Sequence, residues 1–133
     1  MLAVSEPARK LSAMHSPPCL DDESLAKLLR IGGPKFAGNM VDIFLGYAPT
    51  KITEALAAEA KGDYTGVEDA MHPLKTCASH VGAVAVRALA VEIGDLAHAQ
   101  DRVAIPLRLA ALERAFAEVK PLLDAKRRAL EAG

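Results

Sequence analysis

His72 and Lys75 stand three residues apart in the run Ala70-Met71-His72-Pro73-Leu74-Lys75-Thr76-Cys77-Ala78-Ser79-His80-Val81-Gly82-Ala83. On a helix, that spacing puts an imidazole and an ammonium on neighbouring positions of one face. With about 100° per residue and His72 set at zero, Val67, Leu74, Ala78 and Val81 fall between roughly 180° and 240°. The imidazole therefore projects away from the apolar stripe and toward solvent. Lys75 can neutralise part of the charge of a group attached to the ring, and a phosphoryl group carries about −1.5 to −2. Thr76 and Ser79 are short neighbours that leave the ring uncovered, while Asp69 flanks it one turn earlier. A rigid mid-helix histidine with open approach suits in-line phosphoryl exchange, which depends on positioning and charge stabilisation more than on acid–base machinery.

Other chemistries fit less well. Asp69-x-x-His72 and Asp95-x-x-His98 are carboxylate–histidine pairs of the kind that helical bundles use for dinuclear metals. Those sites usually employ Glu and need every ligand to face inward, whereas His72 faces outward and His98 lies about 160° from Leu96 by the same count. No metal site is expected. His80 ends its helix as a partly buried boundary residue or a cation favourable to the dipole, and His15 falls outside any periodic segment. Two cysteines, Cys19 and Cys77, form neither a disulfide framework nor a CxxC motif and read as free thiols in a reducing compartment, with Cys77 near the core side.

The elements that must position His72 are legible as apolar stripes. Residues 1–19 lack periodicity, end in Ser16-Pro17-Pro18-Cys19 and read as a flexible tail, leaving a helical domain over 20–131. Asp21-Asp22-Glu23-Ser24 starts a short helix through Leu25, Leu28 and Leu29 that stops at Gly32-Gly33. Pro34 opens a second helix carrying Phe36, Met40, Ile43, Phe44 and Tyr47, then Ile52, Leu56 and Ala60, with a kink or break near Gly46–Pro49. Lys61-Gly62-Asp63 turns the chain into a third helix from about Tyr64 to His80, bent at Pro73 but in phase through it. A fourth carries Val86, Leu89, Ile93 and Leu96. A fifth, capped by Asp101, carries Ile105, Leu109, Leu112, Phe116, Val119 and Leu123, with Pro121 bending its last turns. Four long stripes with short connections specify an all-α, up-down antiparallel four-helix bundle with a short additional N-terminal helix.

Composition agrees. Hydrophobic residues make up 51% and charged residues 25% of 133, much of the apolar share is alanine, and there is no tryptophan. Such a chain suits closely packed helices rather than a sheet. The formal net charge of −1 argues against nucleic-acid or anionic-membrane binding. No secretory signal pattern opens the chain, and Arg87 breaks the apolar run after Val81, so a cytoplasmic monomer is expected.

The run His72-Pro73-Leu74-Lys75-Thr76-Cys77-Ala78 followed by Gly82-Ala83 resembles the His-x-Leu-Lys-Gly-Ser-Ser/Ala…Gly-Ala signature of histidine-containing phosphotransfer (HPt) domains. Leu20-Asp21-Asp22-Glu23-Ser24-Leu25, the Gly-Gly-Pro-Lys-Phe run to Phe44-Leu45, and the Ala60 to Asp63 spacing resemble the same family. The resemblance implies a stand-alone phosphorelay module. His72 would take a phosphoryl group from a receiver-domain aspartate of a hybrid histidine kinase and pass it to that of a response regulator. Lys75 would assist electrostatically, and Gly82 would let the helices on either side of it approach closely. Mg²⁺ would sit on the receiver, leaving this chain without a cofactor, ATP site or autokinase activity. A helical adaptor that binds receiver or kinase domains without phosphotransfer is the alternative. Departures from the family pattern are Thr76 in place of the usual glycine, Pro73 after the histidine, and Asp95 where many relatives carry Glu or Gln.

Overall fold

A computed structural model describes residues 19–132. The expected tail, residues 1–19, falls outside that span except for Cys19. Four helices follow one another: α1 (Asp22–Ala60), α2 (Tyr64–Val81), α3 (Val84–His98) and α4 (Ala104–Ala132). Each packs on its neighbour in sequence, and α4 returns to α1, closing a four-membered ring with no diagonal contacts among the described residues. The short connections make successive helices antiparallel, as in an up-down bundle.

The expected short leading helix is the first part of α1. Asp21 caps it, its Oδ1 accepting from the Glu23 N–H at 2.9 Å, and Asp22 and Glu23 place acid in the first turn. Gly33 interrupts the helix with φ 86° and ψ −178°, the one residue inside α1 with non-helical angles. Pro34 explains the site of the break, since a residue before proline avoids the α region and only glycine takes this φ at little cost. No break occurs near Gly46–Pro49, where the helical angles run on through Pro49. A missing N–H is a local loss, and the residues on both sides of Pro49 are held by the core through Phe44, Ala48 and Ile52.

The remaining connections follow the residues closely. Gly62 turns with φ 70°, and Asp63 Oδ1 accepts from the Gly66 N–H at 2.9 Å to start α2. Asp101 Oδ1 accepts from Ala104 at 3.0 Å ahead of α4. Both α2 and α4 continue through Pro73 and Pro121.

Core composition on α1 departs from the expected stripe. Ala37, Val41, Phe44, Ala48, Ile52 and Ala55 are buried, whereas Phe36, Ile43 and Tyr47 are exposed at 37%, 56% and 36%. Alanines line the inner face because they let helix axes come close, which pushes the larger side chains to the flank. Phe44 packs against Phe116 with ring centroids 5.8 Å apart. Met71, Leu74, Ile93, Ile105, Leu109, Leu112 and Leu123 complete the interior, each contributing about 1.5–3 kcal/mol by burial.

Candidate functional site

Val67, Ala70, Met71, Leu74, Ala78 and Val81 form the buried side of α2, and His72 is exposed on the other side. Packing of its two neighbours, Met71 and Leu74, fixes the helix on which the imidazole stands. Pro73 lacks the N–H that would bond the Asp69 carbonyl. Thr76 Oγ1 donates to the His72 carbonyl at 3.5 Å, a local tie for the backbone there.

His72 opens on a shallow groove between α2 and α3. Glu68, Met71, His72 and Lys75 form one wall and Ala90, Val91, Gly94 and Asp95 the other, around about 120 Å³. The antiparallel hairpin sets this register. Glu68 lies level with His98, whose Nδ1 is 3.5 Å from Glu68 Oε2, and Ser79 lies level with Arg87. Lys75 is half-buried along its stem and shares the groove with His72, which gives its ammonium access to a group on the ring. Lys75 forms no ion pair with a described residue.

The other expected participants occupy distinct places. Thr76 and Ser79 are exposed on the His72 face. Asp69 is exposed and bonds to no described side chain. Gly82 has φ 77° and ends α2, its N–H reaching the carbonyls of Ala78 and Ser79. Its close approach differs from the expected one. A Cβ at Gly82 would collide with the Asp21 carbonyl and meet Ser24, so the glycine admits the start of α1 rather than α3. Asp21 N–H donates to the Gly82 carbonyl at 2.7 Å across the same contact.

His80, expected to be partly buried, is exposed, because Val81 rather than His80 turns into the core. The two carboxylate–histidine pairs do not converge: Asp95 lines the groove at His72, while the partner of His98 is Glu68. No group of three or more potential metal ligands occurs among the described residues. Cys77 is half-buried, and burial pushes its thiol up from the ordinary range.

The family model of the Hpt domain matches residues 39–129. The chain belongs to the Hpt-domain family. It is therefore a histidine phosphotransfer protein of phosphorelays, and its role is that of a phosphoryl carrier. The fold of this Hpt domain is similar to that of histidine-containing phosphotransfer protein B (HptB) from Pseudomonas aeruginosa PAO1, with 26% identity and a TM-score of 0.80 over 86% of this chain and 98% of that one. It is also similar to the maize protein ZmHP2, with 25% identity and a TM-score of 0.75 over 92% and 91% of the two chains. No curated protein sequence matches the chain. No helix among the described residues is long and apolar enough to cross a membrane.

Two features of this Hpt domain's site escape a reading of α2 alone. Gly94 keeps the groove open opposite His72, since a Cβ there would touch only Met71 at 4.0 Å. Arg87 stands on the same rim, its Nε donating to Ser79 Oγ at 2.8 Å. Arg87, Val91 and Gly94 fall at i, i+4 and i+7, a helical face that could have been matched to that of His72 had the hairpin register been known.

Proposed function

We propose that His72 is the phosphoryl-accepting residue, that Lys75 stabilises the transferred group, and that the chain shuttles phosphoryl between the aspartates of two receiver domains. The observation that carries this reading is the outward, exposed His72 sharing a groove with Lys75, which pairs with no described carboxylate, in a chain of this family. In the forward step the bond between phosphorus and the aspartyl oxygen breaks as a bond from His72 Nε2 to phosphorus forms. The aspartate leaves as a carboxylate, and Nδ1 keeps the ring proton. Onward transfer reverses the step on a second aspartate. Such exchange moves little charge through bonds, so positioning and the Lys75 ammonium supply the chain's contribution.

Mg²⁺ belongs to the receiver in this reading, and the chain itself works without cofactor, ATP or autokinase activity. The bundle over residues 20–131 acts as a cytoplasmic monomer. Thr76 and Ser79 leave the approach clear, Asp69 borders it, and Gly82 fixes the end of α2. Incubation with a receiver domain phosphorylated on its aspartate provides the test. Wild type is expected to take up acid-labile, alkali-stable label, and His72→Gln none. Equal labelling of His72→Gln would refute the assignment, and a wild type that binds the receiver without taking label would favour the adaptor alternative.

A further inference from the structure

The rim around His72 is divided by charge. On the side of the α2 N-terminus, Glu68 and Asp95 line the groove and Asp69 stands exposed beside them. On the side of the α2 C-terminus stand Lys75 and, from the neighbouring helix, Arg87. Arg87 is exposed and held on Ser79, seven residues beyond His72 and so about 10 Å along the helix axis. The imidazole lies at the boundary between the two halves.

Arg87 is poorly explained by the stability of the fold. It is the fourth residue of α3, and a cation in the first turn opposes the helix dipole. No described carboxylate pairs with it, in contrast to Arg127, which meets Asp42 at 3.0 Å and Glu131 at 2.9 Å. Its tether is a neutral hydroxyl, which holds the guanidinium in place and leaves its charge intact. A fixed, unneutralised cation on the same helical hairpin, about 10 Å from the reactive group, is suited to a partner's charge.

We propose that Arg87 is a specificity-determining residue: with Lys75 it forms the cationic half of a charge-split docking face that receives a receiver domain presenting acidic groups there and a basic group to Glu68, Asp69 and Asp95. The proposal rests on the phosphotransfer reading and adds to it the orientation of the partner. Opposite charges on either side of one histidine favour a single docked orientation, because the reversed one sets like charges against each other. Steering by such a face acts on association and weakens as salt screens it.

The test uses the full chain, a phosphorylated receiver that labels wild type, and phosphoramidate as a small phosphodonor with no docking surface. Arg87→Glu suits the first turn of α3 and is expected to keep the helical circular dichroism of wild type. At low salt it should slow transfer from the receiver about tenfold, a gap that narrows in high salt. Ser79→Ala, which releases the tether, should slow it less. Labelling of His72 by phosphoramidate should be unchanged in both variants. An unaltered receiver rate in Arg87→Glu overturns the inference, as does an equal loss with phosphoramidate, which would mark a local effect on the imidazole. Wild type that phosphoramidate labels elsewhere than His72 overturns the phosphotransfer reading itself, and this inference with it.

Discussion

Lys75 lies one turn beyond His72 and lines the same α2–α3 groove. A wet site screens the Lys75 ammonium, so its effect falls short of the roughly hundredfold contribution of one donor in a water-excluded oxyanion hole. Lys75→Ala should slow phosphotransfer about tenfold and leave urea unfolding nearly unchanged, as expected of a surface substitution. A transfer rate equal to wild type would remove Lys75 from the mechanism. His72 and Lys75 were legible from the sequence because both belong to one helix, where spacing alone decides which face they share. Asp95 was named only through the family resemblance; with Arg87 and Gly94 it reaches the same rim from α3, and the register that brings them there is set by the turn at Gly82 and the packing of Met71 against α3. No local pattern encodes that register.

At the scale of the elements, caps and breakers did most of the specification. Asp21, Asp63 and Asp101 start their helices as their residue types suggest, and Gly33 before Pro34 breaks α1. Pro73 and Pro121 lie inside continuous helices as expected, and at Pro49 too the helix runs on without a break, because buried residues on both sides outweigh the lost hydrogen bond. The α1 stripe was misread. Large side chains at helical spacing usually mark a core, yet here alanines face inward and Ile43 and Tyr47 stay exposed. Gly82 and Gly62 offer a test of how tightly the elements close. Both have left-handed φ, 77° and 70°, but only Gly82 faces another segment, the Asp21 carbonyl and Ser24, whereas Gly62 meets nothing. Gly62→Ala should cost about 1 kcal/mol from backbone strain alone. Gly82→Ala should cost about 1–3 kcal/mol more, because the start of α1 must move. Equal losses in urea unfolding would show that the contact between α1 and the α2–α3 turn contributes nothing.

For the molecule as a whole, the bundle serves to hold one face of α2 rigid. The interior is filled by four helices in a ring, and ion pairs such as Lys126 to Asp22 at 3.0 Å and Arg127 to Asp42 at 3.0 Å join α4 to α1 far from the groove. Leu112 is fully buried in α4, on the ring but remote in sequence from the site. Leu112→Ala should lower stability by about 2–5 kcal/mol in urea unfolding while the folded fraction still carries phosphoryl on His72. The bundle thus supplies stability, and the exposed face of α2 with the rim of α3 supplies the chemistry. The central claim is that one imidazole carries the group. After transfer from a phosphorylated receiver, nuclear magnetic resonance of nitrogen-15-labelled protein should show phosphorus coupled to Nε2 of His72 and to no other ring nitrogen. Coupling at His80 or His98, or phosphoryl bound to no histidine, would contradict the account.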